Sequence, residues 1–571
     1  MTDDTAPRRF NLSRFTTPKT FTEDLSAGIV LGIQSVPDGM ASALLAMVNP
    51  VYGLYAYMVG TFTGALFTSS ALMSVQATGA MSLIVASVPQ VVVGENRSLY
   101  LFALSILVGV FMLIAGLLKL GKAVRFVPNA VMTGFISAIA INIILSQLGD
   151  FTGYYSEAAL PFISGRIPRT IDLLLNLDQM HLPTLAVGVM TIVLIITLER
   201  TRLGALGLVV AMLATSLLVI LVGAENVRVV NDIATIPSTL PRPVFPPLFT
   251  FLPLIVPAIS LAFVGLVQGA AISQNFVNPD GSYPDTSRDF VGQGLANIVV
   301  GVFQGMPVGG SMSATAIVTN AGARTRLANI IAGLTMAVVI LLFSRLVGLL
   351  AMPALAGLLI VIGFRTLKPN QIRTVWKTGP TQRVTMLFTF IASLLIPLQY
   401  AVLIGVGLAV ILYVFRQSNQ VTVMEWQRPS DRYPLEVAAP AVVPSDAVTI
   451  LVPYGSLFFA TASLFTDRLP QITPDTRRAV VILNLRRNTE LGSTFLDAID
   501  RYARKLHAQD SKLVLSGVDP QLKEQLEQTG KIDLIGRENI YMQTEYIGQS
   551  MENAYIDAQR WVAERQPVAA P

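Results

Sequence analysis

The sequence predicts a polytopic α-helical membrane protein: fourteen segments arranged as a 7+7 inverted repeat, followed by a soluble α/β domain. Three observations carry that prediction. The chain is 53% hydrophobic and 13% charged over 571 residues, about half the charged share of an ordinary soluble protein. Its apolar runs approach the ~20 residues that cross a bilayer as a helix. Two stretches, SVQATGAMS at 74–82 and QGMPVGGSMSAT at 304–315, break the helical pattern at corresponding places in the two halves.

Taken in order, the runs of the first half fall near 25–42, 51–69, 78–92, 98–120, 127–147, 183–198 and 205–223. Those of the second fall near 254–276, 287–305, 313–321, 327–350, 353–366, 382–398 and 400–416. An odd number per half turns the second set upside down relative to the first, a pattern found in secondary transporters. Runs 78–92 and 313–321 are too short to cross and read as half-helices. The stretches feeding them are rich in Gly and Ser, and Pro307 interrupts the second. Irregular backbone persists at membrane depth only where it is buried in protein or lines a wet cavity. Each stretch reads as a short strand or turn delivering the amino end of a half-helix. The free N–H groups and positive dipole ends there favour an anion. Small-residue helix crossings are the structural alternative.

Lys and Arg set the orientation. With the N-terminus inside, the inner loops receive Arg8, Arg9, Arg14 and Lys19, then Lys119, Lys122 and Arg125, then Arg200 and Arg202. In the second half they receive Arg324, Arg326, Arg365, Lys368, Arg373, Lys377 and Arg383, whereas outer loops hold few, such as Arg97, Arg166, Arg169 and Arg228. The bias expects a multi-pass protein of the plasma (inner) membrane, with the N-terminal tail (residues 1–20) in the cytoplasm. That tail has no apolar signal-peptide core.

Beyond Arg416 the composition changes. A polar stretch at 419–445 reads as a linker. The region 446–567 then alternates strand patterns (VTILVPY, RAVVILNL, KLVLSG) with helical ones (TFLDAIDRYARKLHAQ, QLKEQLEQTG, MENAYIDAQRWVAERQ). That alternation predicts a small α/β domain, cytoplasmic because it follows an even number of spans.

Several function classes are excluded. The chain has no cysteine, so disulfides, Cys-held zinc and iron–sulfur clusters are out. Its two histidines, His181 and His507, lie outside the runs, so no intramembrane histidine relay is expected. The net charge of +5 comes with no basic stripe and interleaved aromatics, which argues against nucleic acid. There is no Walker-type loop. Neither an enzyme nor a cofactor or metal is expected.

Four blocks carry a resemblance to a known family: DLSAGIVLGIQSVPDGMASALLA with VNPVYGLYAYMVG after it; FVPNAVMTGFISAIAINIILSQLGDFTG; and SRDFVGQGLANIVVGVFQGMPVGGSMSATAIVTNAGARTRLANIIAGL. Through them the chain resembles the SulP family of anion transporters nearly end to end, and its C-terminal region resembles the STAS domain that the family carries. The resemblance implies a core bundle (spans 1–4 and 8–11) moving against a gate bundle (5–7 and 12–14), a homodimer, and an anion held between spans 3 and 10. The substrate-binding residues expected on that basis are Gln34, Ala77, Thr78, Gly79, Ala80, Gln268, Gly309, Gly310, Ser311, Ser313 and Thr315.

The departures from the family's pattern bear on mechanism. Its first span usually reads Pro-Gln-Gly-Met, whereas here it is Pro37-Asp38-Gly39-Met40. A carboxylate at mid-membrane is costly and marks a functional group. Asp38 is therefore the expected proton-coupling residue, with a structural hydrogen-bonding role beside Pro37 as the alternative. Gln268 stands where many relatives have an acid, and Ser313-Ala314-Thr315 where they often have Ser-Arg-Ser. Acid and arginine are lost together. Anion attraction then rests on dipoles and hydroxyls, and a sodium site lacks the carboxylate a cation prefers. In the STAS-like region, Gly492-Ser493-Thr494-Phe495 replaces the family's Asp-Ser-Thr/Ser-Gly turn. Ser493 or Thr494 is a candidate phosphorylation acceptor, with a docking or folding role as the alternative.

The leading expectation is secondary active transport of a small inorganic or organic anion (sulfate, bicarbonate or dicarboxylate class), coupled to protons. An uncoupled channel, an exchanger and a membrane-anchored STAS sensor are the competing readings.

Overall fold

The computed structural model describes residues 18–121, 127–156, 166–224, 226–396, 398–418, 421–428 and 435–565. Most of the N-terminal tail, with Arg8, Arg9 and Arg14, lies outside them, as do Lys122, Arg125 and parts of the 419–445 stretch. The chain divides into two compact units, Met1–Ala409 and Val410–Pro571.

The first unit is helical. Its first half comprises α1 (Pro18–Leu45), α2 (Pro50–Phe67), strand β1 (Ser74–Gln76), α3 (Gly79–Val85), α4 (Pro89–Val92), α5 (Arg97–Leu117), α6 (Asn129–Thr152), α7 (Arg166–Leu175), α8 (Leu182–Leu198) and α9 (Leu206–Val222). The second half comprises α10 (Ile255–Asn275), α11 (Thr286–Val302), strand β2 (Gly309–Ser311), α12 (Met312–Asn320), α13 (Leu327–Gly348), α14 (Met352–Thr366), α15 (Pro369–Thr378), α16 (Pro380–Leu395) and α17 (Leu398–Ser418). Each of the fourteen apolar runs falls on a helix, and the third is split into α3 and α4. Six helical stretches among the described residues are long and apolar enough to cross a bilayer.

Local chemistry sets the helix ends. Asn49 accepts from the Val51 amide at 3.0 Å, with Pro50 in the first turn of α2, where a missing N–H costs nothing. Gly153 and Gly223 end α6 and α9 in the left-handed conformation, which lacks a Cβ penalty only for glycine.

Two groups of helices pack within this unit. In one, α1, α2, α5, α10, α11 and α13 lie against one another; in the other, α6 packs on α8, α14 and α16, and α8 on α9. Apolar surface gains nothing by association in lipid, so close backbone approach at small residues matters more. A Cβ on Gly53 of α2 would fall 1.9 Å from the Gly39 carbonyl of α1, and one on Gly109 of α5 would fall 2.6 Å from the Gly294 carbonyl of α11. The short amphipathic helices α7 and α15 follow α6 and α14 respectively. Neither registers as a span in the sequence, because their apolar stripes are too short.

In the second unit, the strands are β3 (Thr422–Gln427), β4 (Leu435–Ala438), β5 (Val448–Tyr454), β6 (Val480–Asn484), β7 (Lys512–Val518) and β8 (Ile540–Met542). They form one sheet in the order β4-β3-β5-β6-β7-β8, with β5 to β8 parallel and β3 antiparallel to both its neighbours. The helices are α18 (Ala462–Arg468), α19 (Ser493–His507), α20 (Pro520–Gln528), α21 (Lys531–Ile535) and α22 (Gln549–Arg565). Alternation along the strands sorts the core. Leu451, Val481, Leu483 and Leu515 pack with Phe465 and Phe495 on one face, while Ile450, Ile482 and Val514 meet Met551 and Ala554 of α22 on the other. The linker reading of 419–445 needs correction here, since β3 and β4 lie inside it. The alternation in TVMEWQ buries Val423, but its polar content masked the strand.

Candidate functional site

The two broken stretches meet. β1 and β2 pair antiparallel, with Ser74 opposite Ser311, Val75 opposite Gly310 and Gln76 opposite Gly309. Each strand runs into a half-helix, so antiparallel pairing makes α3 and α12 leave opposite ends of the ribbon with their amino ends turned toward one another. Both ends are capped by hydroxyls. Thr78 Oγ1 accepts from the Met81 amide at 3.4 Å, and Ser311 Oγ accepts from the Ala314 amide at 3.3 Å. Such caps satisfy one of several first-turn donors and leave the rest open.

The remaining expected residues sort by what they touch. Gln268, on α10, accepts from Thr78 Oγ1 at 3.0 Å through Oε1. Ser313 is exposed beside Ser311, the two hydroxyls lying 3.2 Å apart. Ala77 gives its carbonyl to the Tyr57 hydroxyl at 2.8 Å, and Ala80 is buried in the first turn of α3. Thr315 is fully engaged, its hydroxyl donating to the Ser311 carbonyl at 2.6 Å and accepting from the Ser74 amide at 3.1 Å. A Cβ on Gly310 would meet Ile272 at 2.9 Å and Gly269 at 3.0 Å, one on Gly309 the Met81 sulfur at 2.9 Å, and one on Gly79 Ile143 at 2.6 Å. These glycines let neighbouring helices close in. Gln34 and Asp38 lie one turn apart on α1, and Gln34 Oε1 and Asp38 Oδ1 are buried without a hydrogen-bond partner among the described residues. α1 continues through Pro37. Asp38 is within electrostatic reach of Arg365 on α14 and Tyr57 on α2. Ser493 and Thr494 are exposed in the first turn of α19.

Sequence reasoning missed the side chains that hold the ribbon. Asn297 clamps Val308, donating to its carbonyl at 2.7 Å and accepting from its amide at 2.9 Å. Gln293 accepts from the Gly310 amide at 2.9 Å. Gln76 donates to Ser35 at 2.9 Å and to Thr61 at 3.1 Å, and Ser74 donates to Asn329 at 2.7 Å. Uncharged Gln and Asn inside apolar runs were the available signal, because such groups must find partners in lipid. Two further carboxylates, Asp24 and Asp289, are fully buried near helix starts. Asp289 accepts from Ser69, Ser70 and Ser273 at 2.6–2.9 Å, and Asp24 accepts from Arg324 and Thr325 backbone amides at 2.7 and 3.0 Å.

A multi-pass helical bundle in which two broken helices present their amino ends to each other is a transporter of small anions in class. The pattern of the Sulfate permease family matches residues 21–389, and that of the STAS domain residues 439–546. The chain belongs to the sulfate permease family, a family of transporters rather than enzymes, and carries a C-terminal STAS domain. It is 28% identical over 537 residues to a probable sulfate transporter of Mycobacterium tuberculosis, covering 91% of this chain and 93% of that one. It is 25% identical over 539 residues to the chloroplastic sulfate transporter 4.1 of Arabidopsis thaliana, covering 91% and 78%. The fold is shared with murine Solute Carrier 26 family member A9, an anion transporter solved in the inward-facing state, at a TM-score of 0.83, 17% identity and coverage of 98% and 96%. The transmembrane domain of a cyanobacterial bicarbonate transporter aligns at a TM-score of 0.59 and 23% identity, covering 69% of this chain and 98% of that one.

Proposed function

We propose that this chain is a proton-coupled symporter of a sulfate-class oxyanion, working by an elevator movement. The observation that carries the reading is the β1–β2 register, which brings two capped half-helix starts together beside Gln268. The anion is held by the open amides of Gly79, Ala80 and Ser313, by the Ser313 hydroxyl and by the Gln268 amide, with Gln34 contributing from α1. Thr315, Gly309 and Gly310 shape the site. The sulfate class is favoured by the relatives' names, with bicarbonate and dicarboxylates as alternatives.

The order and packing of the helices support a 7+7 inverted repeat: α1–α3 and α5 answer to α10–α13 as a core, α6, α8 and α9 to α14, α16 and α17 as a gate, and α7 to α15. Core moving against gate carries the site across the membrane. We place the transport domain at 21–418 and the STAS domain at 446–567 with β3 and β4 ahead of it completing its sheet, both it and the N-terminus facing the cytoplasm of a plasma (inner) membrane, with the protein a homodimer. Asp38 supplies the coupling. A protonated Asp38 avoids like-charge repulsion with a bound anion, so each ligand favours the other by linkage. Proton and anion then load and leave together.

The test is reconstitution into liposomes with radiolabelled sulfate and an imposed pH gradient. Accumulation driven by an inward proton gradient and indifferent to sodium is expected. Flux that only equilibrates the anion would instead favour an uncoupled channel.

A further inference from the structure

Where α1 and α6 end, against the first turns of α7, lies a pocket of about 280 Å³, walled in part by Leu45, Gln147, Asp150, Arg166, Arg169 and Thr170. That is near the lower end for small-molecule sites, about 300 Å³. Its carboxylate is already occupied: Tyr155 donates its hydroxyl to Asp150 at 2.9 Å, and Arg228 sits over the Tyr155 ring at 5.1 Å, within electrostatic reach of Asp150. Asp172, also on α7, accepts from Tyr154 at 2.8 Å. Arg166 and Arg169, three residues apart on α7, take part in no ion pair among the described residues. Burial, and then the Arg169 cation, push the Arg166 guanidinium down to about 10. Arg166 is half-buried and Arg169 exposed; two like charges sharing one wall repel each other, and an anion between them relieves both.

We infer that this pocket is an outer capture site for a small oxyanion, gripped by the guanidinium groups of Arg166 and Arg169. The inference deepens the transport reading and rests on it. Guanidinium forks match oxyanion geometry and offer two parallel hydrogen bonds each. The pocket adjoins the half-helix site, because Leu45 lines it and also lies 3.8 Å from the place a Cβ on Gly79 would occupy. The half-helix site has Ala314 where an arginine is usual in the family, so it holds an anion by dipoles and neutral polar groups, with no cation of its own. The arginine pair supplies the missing attraction one step earlier, raising the local anion concentration at the mouth. Lys368, in the junction that follows α14 as α7 follows α6, has its Nζ 3.8 Å from the Met312 sulfur at the start of α12.

The test uses the full chain in liposomes, with sulfate as the probe. The Arg166→Gln/Arg169→Gln double variant should raise the half-saturating sulfate concentration about tenfold, leave the maximal rate near that of the parent, and flatten its dependence on ionic strength. Arg169→Lys, which keeps the charge, should recover part of the affinity. An unchanged half-saturating concentration, or a loss confined to the maximal rate, overturns the inference while leaving transport standing. A second measurement is independent of transport: in the detergent-solubilised parent, sulfate should protect Arg166 and Arg169 from phenylglyoxal, read residue by residue by mass spectrometry. Protection in a protein that moves no sulfate would keep the pocket and sink the transport reading. Absence of protection overturns the pocket.

Discussion

Thr78 Oγ1 donates to Gln268 Oε1 at 3.0 Å while accepting from the Met81 amide at 3.4 Å. One hydroxyl therefore caps the first half-helix and ties it to α10 of the other half. Oε1 is the end of Gln268 that faces Thr78, so on the proposed reading its amide N–H groups serve the anion.

Gln268→Leu removes both the tie and the amide donor. We expect a roughly tenfold rise in half-saturating sulfate, measured by liposome uptake. Thr78→Val removes the cap and should cost about 1 kcal/mol of local stability, with a smaller rise. Uptake kinetics indifferent to Gln268→Leu would move the site away from α10.

Asp38→Asn keeps the shape and removes the titrating proton. Exchange of labelled for unlabelled anion should persist, while accumulation driven by an inward proton gradient disappears. Gradient-driven accumulation surviving in this variant would assign Asp38 a structural role beside Pro37.

Tyr57→Phe tests the support of the half-helix. The Tyr57 hydroxyl donates to the Ala77 carbonyl at 2.8 Å and lies 2.9 Å from Ser42 Oγ, both buried. Leaving such groups unpaired costs about 1–3 kcal/mol. A lower thermal midpoint in detergent is expected, together with weaker sulfate protection against unfolding. An unchanged midpoint would mean that the carbonyl finds another donor.

Cutting before residue 446 should behave differently from cutting after Ser418. The first leaves β3 without β5, its partner along Thr422–Glu425, and exposes Val421 and Val423, which are 1% and 6% exposed in the intact sheet. Unpaired strand edges associate. Size-exclusion chromatography should therefore show more aggregate from the shorter deletion than from the complete one, and both proteins should retain sulfate affinity. Equal profiles would mean that β3 contributes nothing to the sheet.

The sequence by itself determined the number and placement of the apolar helices, because lipid forces each span to satisfy its own backbone and leaves long uncharged runs as the trace. It also marked 74–82 and 304–315 as the breaks, since Gly, Ser and Pro307 there oppose helix, and it singled out Asp38 as a charge in the wrong solvent. It did not contain the meeting of the two breaks. Val75 faces Gly310 across more than two hundred residues, and only the folded bundle supplies that register. Nor did it distinguish ligand from support. Thr315 and Ser313 are near neighbours of similar chemistry, yet the Thr315 hydroxyl is consumed by Ser311 and Ser74 while Ser313 is exposed. That difference depends on which face of α12 meets the ribbon, and hydrogen-bond partners distant in the chain are decided by packing alone. The arginine pair on α7 looked like ordinary outer-loop charge for the same reason: whether a cation is paired, solvated or walled into a pocket is a property of its neighbours in space.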